Sequence, residues 1–272
     1  MTQPALFVSH GAPDLALSDS PARAFLAGLG KRLDRPDAIL IASAHDEAPG
    51  PRVRAPAEFR TWHDFGGFDP RLRAMHYEPP GAPALAAAVE ALLGAAGFDA
   101  AGDSDPRLDH GAWVPLSLLF PQADVPLATV SIDPRRDPAW HERLGAALAP
   151  LGRRNVLVIG SGSISHNLGE VFRPSAGDAG WAEAFTAWLA EAAARGDRAA
   201  LLDSLRSAPE AARNHPTDEH FLPFFVALGA GGEGAAAARL HHSYTYDVLA
   251  MDAYAFGEAE AVEKLSSSLR ED

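Results

Sequence analysis

Residues 37–45 read DAILIASAH. From Ala38 to Ala44 every side chain is apolar or small. A strand with one wet face alternates apolar and polar residues, and this stretch does not. The run therefore predicts a strand buried on both faces, as in the parallel sheet of an α/β protein. It ends at a histidine, His45.

The same pattern repeats on either side. PALFVS (4–9) reads as a short buried strand that ends at His10, and NVLVIGS (155–161) reads as a third. That third strand runs into a loop of small residues, GSGSISHNL (160–168), which delivers His166. VPLATVSI (125–132) is another strand. Helical stretches lie between them: 20–33, with Ser20 as N-cap and Pro21 at the first helical position, then 84–97 and 138–151. Further helices are predicted at 181–195, 197–206 and 217–228, and a last apolar segment at 244–256. Residues 49–82, rich in Pro, Gly and aromatics, read as a long ordered loop, and 229–238 as a surface loop. Strands alternating with helices predict an α/β fold. The expected organisation is one domain over residues 1–272, with a central, largely parallel (mixed) sheet flanked by helices. Ligands of such sheets bind outside the carboxyl ends of the strands, and His10, His45 and His166 are all delivered there.

Bulk properties narrow the chemistry. With 272 residues and 47% hydrophobic content, the chain can bury a sizeable core. A net charge of −13 disfavours nucleic acid and anionic membranes as partners. There is no cysteine, so disulfides, thiolate metal sites and a cysteine nucleophile are excluded, and any metal must be held by His, Asp or Glu. No apolar run reaches the length of a membrane span and no signal peptide is visible, which makes the cytoplasm the expected compartment.

The small-residue loop lacks the lysine of a phosphate loop, the third glycine of a dinucleotide fingerprint and the GxSxG of a nucleophile elbow. What remains is a tight turn that presents His166. Two more histidines stand in informative places. His110 lies between Asp109 and Gly111, where an acid can orient it and a ligand can approach closely. His220 follows Thr217 in HPTDEHFLPFF (215–225), where a helix capped by Thr217 would carry it in the first turn. His63, His76, His215 and Tyr77 are candidates to reach the same pocket, and none is assigned a role there. His141 reads as structural, and His241 and His242 as surface residues.

Eight stretches then carry a resemblance: SHGAP (9–13), SAH (43–45), HDFGGF (63–68), HYEPPGAP (76–83), DHGAWVPL (109–116), SID (131–133), GSGSISHNL (160–168) and HPTDEHFLPFFVALGA (215–230). Together and in this order they resemble the class III extradiol ring-opening dioxygenases, in the DOPA 4,5-dioxygenase-type branch. The resemblance implies cleavage of a small aromatic diol with O2 at a non-haem metal, Fe(II) in active members, with Zn(II) in some similar proteins. It implies His10, His45 and His220 as metal ligands, with Glu219 as the fallback third ligand. It implies His166 as an acid/base group that can also close a fourth metal position, and His110 as a second pocket group sharing the proton work. Asp64 and Phe65 belong to a loop that either folds over the substrate or packs as an aromatic turn. Asp46 stands where this branch usually has Trp; it either meets a substrate amine or points into solvent. A homo-oligomer is compatible with all of this. The alternatives are a zinc-dependent hydrolase, which lacks an HExxH motif here, and a degenerate, non-catalytic metal-binding relative.

Overall fold

A computed structural model describes residues 2–172 and 180–270. Eight strands make the main sheet: β1 (Ala5–Ser9), β2 (Ala38–Ser43), β3 (Arg52–Arg54), β4 (Ala101–Asp103), β5 (Leu127–Val130), β6 (Val156–Gly162), β7 (Ala236–His241) and β8 (Ala253–Gly257). Their order across the sheet is β4-β3-β5-β2-β6-β1-β8-β7. The four central strands, β5, β2, β6 and β1, run parallel, while β3 joins β5 and β8 joins β1 antiparallel. The sheet is thus parallel at its centre, as the apolar runs predict, and mixed at its flanks.

The central strands are buried on both faces because helices cover both. Against the sheet pack α1 (Pro21–Arg32), α2 (Pro83–Ala95), α3 (His110–Leu119), α4 (Pro138–Leu148), α5 (Gly180–Ala194), α6 (Leu222–Ala230) and α7 (Ala259–Ser268). Ser20 caps α1 by accepting from the Arg23 N–H, and Pro21 opens it. Alternate residues of β1 feed opposite layers: Leu6 and Val8 join one core with Trp113, while Phe7 joins another with Phe224. Each such side chain contributes about 1.5–3 kcal/mol.

Several elements depart from the sequence reading. The stretch 49–82 contains β3, whose two arginines anchor it to the sheet. Residues 236–238, the end of the stretch 229–238 expected as a surface loop, instead begin the edge strand β7. The stretch 197–206 breaks into two short helices, Arg198–Leu202 and Ser204–Ser207. Helix α6 starts at Leu222 rather than near Thr217, with Pro223 fixing its first turn. The Thr217 hydroxyl donates to Glu219 instead of capping the helix. Helices α3 and α7 add to the elements expected. Among the described residues, no helix is long and apolar enough to cross a membrane.

Candidate active site

Five histidines meet at the carboxyl edge of the parallel strands. His10 follows β1 directly, and His45 lies two residues beyond β2. His166 comes four residues after β6. His110 opens α3, and His220 lies just before α6. Glycines set how closely these segments approach. A Cβ at Gly162 would lie 2.0 Å from the His220 carbonyl oxygen, and one at Gly160 would lie 2.0 Å from that of Pro223. Only glycine lets α6 and the His220 segment press onto β6. Backbone bonds then lock the contact: Ser163 N–H donates to the His220 carbonyl at 2.7 Å, and His10 N–H to that of Gly162 at 2.9 Å. The small residues of GSGSISH are therefore needed for close approach, and they bring His10, His166 and His220 together.

Ring geometry shows one chamber. The His45 ring centroid lies 5.1 Å from that of His10, 4.1 Å from His110 and 4.8 Å from His220. His166 lies flat on His220, with centroids 3.4 Å apart and planes 8° from parallel. Three of the five rings have an oxygen partner at Nδ1. His10 Nδ1 is 3.1 Å from Ser161 Oγ, His110 Nδ1 2.9 Å from Asp64 Oδ1, and His220 Nδ1 2.9 Å from Glu219 Oε1. A carboxylate there can only accept, so His110 and His220 each donate an Nδ1–H to it, and His220, lowered by burial, keeps Nε2 as a lone pair. His10 Nε2 and His45 Nε2 face each other at 3.2 Å.

This donor set fits a divalent transition metal. Two imidazole nitrogens bound to one ion at about 2.0–2.1 Å lie roughly 3–3.4 Å apart, as His10 and His45 do. One donor atom each from His10, His45 and His110 lies within 4.8 Å of the others, and so does the set His166, Glu219 and His220. Four of the imidazoles, those of His10, His45, His166 and His220, are also pushed toward the neutral form that a ligand needs. Burial, reinforced by the neighbouring imidazoles, holds His10 well below the usual histidine range. Burial, then His110, pushes His45 down to about 2, and burial, then His220, pushes His166 down to about 3. Burial lowers His220 too, against the opposing pull of Glu219.

Residues 5–257 match the family described as the catalytic LigB subunit of aromatic ring-opening dioxygenase. The chain belongs to the LigB family. It is 40% identical to the 4,5-DOPA dioxygenase extradiol of Beta vulgaris over 254 residues, covering 92% of this chain and 95% of that one. It is 36% identical to the 4,5-DOPA dioxygenase extradiol of Escherichia coli K12 over 232 residues, covering 84% of each. The crystal structure of an uncharacterized protein from Escherichia coli K12 superposes with a TM-score of 0.76 at 29% identity, covering 94% of this chain and all of that one. The chain is a metal-dependent extradiol dioxygenase that opens an aromatic ring with O2.

Not every residue singled out in the sequence faces the chamber of this LigB-family enzyme. Asp46 points neither to solvent nor toward a substrate. Its carboxylate is buried and takes Arg52 at 2.7 Å, Arg54 at 2.7 Å and the Thr129 hydroxyl at 3.0 Å. The reading of Asp46 as a substrate contact is thereby corrected: its carboxylate is buried and committed to two guanidiniums and a hydroxyl. Asp64 holds His110 by both its Nδ1 and its backbone N–H, the latter at 3.1 Å. Phe65 stands edge-on to His110 with centroids 5.7 Å apart, and so borders the chamber. Glu219 is committed to His220 and Thr217, and its carboxyl is held down to about 2 by that histidine. His215 is buried behind the loop, stacked on Phe221 and bonded to the Ile164 carbonyl. Tyr77 joins the core, His76 is exposed, and His63 bonds the Met75 carbonyl. His141 is structural: it accepts from the Asp133 N–H and bonds the Asp137 carbonyl. His241 stacks on Phe25, and His242 pairs with buried Asp252. The sequence reading missed Ser161 and Ser43, which hold the chamber from below. Their place at adjacent strand ends was the available signal.

Proposed function

We propose that this dioxygenase uses Fe(II) to cleave an ortho-dihydroxy aromatic of the DOPA type, with His10, His45 and His220 holding the metal. The observation that carries this reading is the convergence of these imidazoles, kept neutral by burial, with the 3.2 Å approach of His10 Nε2 to His45 Nε2. The substrate class follows from the names of the two curated relatives. A bound Fe(II) supplies Lewis-acid stabilisation of the two diol oxygens and a path for electrons between ring and O2.

The chain's own residues do the rest. His110 and His220 both border the His10–His45 pair, so they compete for the third ligand position. We assign it to His220, whose segment is fixed twice, by Ser163 on its carbonyl and by Glu219 on its Nδ1. Removing His220 then empties the site, and removing His110 does not. His166 cannot share the ion in this arrangement, because two imidazoles stacked in parallel planes cannot both aim in-plane lone pairs at one point. It is left free as a neutral base that takes a proton from the bound diol and returns it later. His110 offers a second nitrogen for the same work, its orientation held by Asp64. Among the described residues, the two carboxylates bonded to the chamber's imidazoles, Glu219 and Asp64, are committed to His220 and His110, which disfavours the hydrolase alternative.

The test is a substrate panel. Protein stripped of metal is reloaded anaerobically with Fe(II) or Zn(II) and offered DOPA, catechol and protocatechuate, with O2 uptake and yellow product followed together. This reading predicts turnover with Fe(II) alone and DOPA ranked first by kcat/KM. Protocatechuate ranked first, or equal turnover with Zn(II), would contradict it.

A further inference from the structure

Ser161 has a single hydroxyl proton and two partners. Its Oγ is fully buried, lies in hydrogen-bonding contact with the Gly111 carbonyl oxygen, and is 3.1 Å from His10 Nδ1. The Gly111 carbonyl needs a donor for a reason written in the sequence. Within a helix it would accept from the N–H four residues later, but that residue is Pro115, which has none. The carbonyl can only accept, so the Ser161 proton goes there. The hydroxyl oxygen then has only lone pairs left for His10. It follows that His10 carries its proton on Nδ1 and turns an unprotonated Nε2 toward His45 Nε2, 3.2 Å away.

We propose that Ser161 is a positioning residue that fixes the tautomer of His10, with Pro115 committing its proton to Gly111. This deepens the reading of the site as a metal centre and rests on it. The neighbouring strand repeats the device. Ser43, paired in register with Ser161, donates to Asp109 Oδ1 at 2.6 Å and accepts from the His45 N–H at 3.2 Å. The two serines thus bolt the start of α3 to the sheet, each also holding one histidine of the facing pair. Ser161 alone governs a ring nitrogen. With the wrong tautomer, His10 Nε2 would carry a proton and could not bind a metal. Loss of such an outer partner typically costs about 10–100-fold in metal affinity.

The experiment compares wild type, S161A and S163A as full-length, metal-free protein at pH 8. Two-bond ¹H–¹⁵N spectra report the tautomer of His10, and competition with a chromophoric chelator reports the Zn(II) and Fe(II) dissociation constants. Ser163 is the control, since its hydroxyl is buried in the same loop but donates to the Ser165 carbonyl. The expected result is an Nδ1-protonated His10 in wild type and S163A, a mixed tautomer in S161A, and metal binding about 10–100-fold weaker in S161A only. An unchanged tautomer and affinity in folded S161A would overturn the proposal. So would an Nε2-protonated His10 in wild type, which decides the matter even if S161A fails to fold. Neither readout uses turnover, so failure here stands apart from failure of the dioxygenase assignment to DOPA-type substrates.

Discussion

His166 lies flat against His220, and that contact separates two roles that the spacing of histidines leaves joined. Replacing His166 with Ala removes the base but none of the proposed ligands. Turnover should fall by roughly 10²- to 10⁴-fold, while metal content measured by atomic emission stays at the wild-type level. Loss of metal instead would make His166 a ligand. Asp46 gives a second prediction. Its carboxylate lies between Arg52 and Arg54, and removing one member of a buried pair typically costs about 3–5 kcal/mol. Asp46→Ala should lower the urea-unfolding free energy by that amount and leave the ranking of catechols with and without an amine unchanged. A changed ranking would restore Asp46 as a substrate contact. The histidines were legible in the sequence because each closes a buried apolar run or sits in a motif with fixed neighbours. The partners of Asp46 were not, because Arg52 and Arg54 fall in a stretch whose prolines and glycines hide a strand.

At the scale of elements, the chamber depends on how closely α3 and α6 approach the strand ends. Helix α3 escaped the sequence reading because Gly111 and Pro115 both weaken a helical pattern. Its cap, Asp109, accepts from the Ala112 N–H, and burial raises the Asp109 carboxyl to about 6. Gly111 cannot be enlarged without cost. A Cβ there would stand 2.5 Å from Ser43 Oγ, 2.9 Å from His45 Cδ2 and 3.0 Å from His10 Cε1. Gly111→Ala should therefore spread the two facing imidazoles, weakening Zn(II) binding by at least about tenfold for a stability loss of about 1–3 kcal/mol. Metal titration beside thermal melting checks this, and wild-type affinity would show that the pair tolerates displacement. The start of α6 was misread for a related reason. Thr217 has the chemistry of a cap, but the helix starts five residues later, at Leu222, with Pro223 in its first turn, and only the folded chain shows Thr217 turned to Glu219.

Across the whole molecule, the parallel centre was legible because strands buried on both faces cannot alternate, and the mixed flanks were less so because β3 and β4 are only three residues each. Helix α4 also carries a buried histidine outside the metal site. His141 ties α4 to the Asp133 backbone, and burial pushes it down to about 4. Below about pH 6.5 the unfolded chain takes up a proton that the folded chain refuses until about pH 4, so stability is lost as pH falls through that window. His141→Asn should flatten the slope of unfolding free energy against pH there by up to about 1.4 kcal/mol per pH unit relative to wild type, both metal-free. Parallel slopes would show that His141 does not report on this window. The central claim is that this histidine chamber holds a metal that opens an aromatic ring with O2. It is tested most directly by turning over DOPA under ¹⁸O₂ with Fe(II)-loaded protein and reading the product by mass spectrometry. Ring-opened product carrying ¹⁸O from the gas, with O2 consumed in step with DOPA, is the result the account predicts. Product labelled only from H₂¹⁸O, or no O2 consumed, would contradict it.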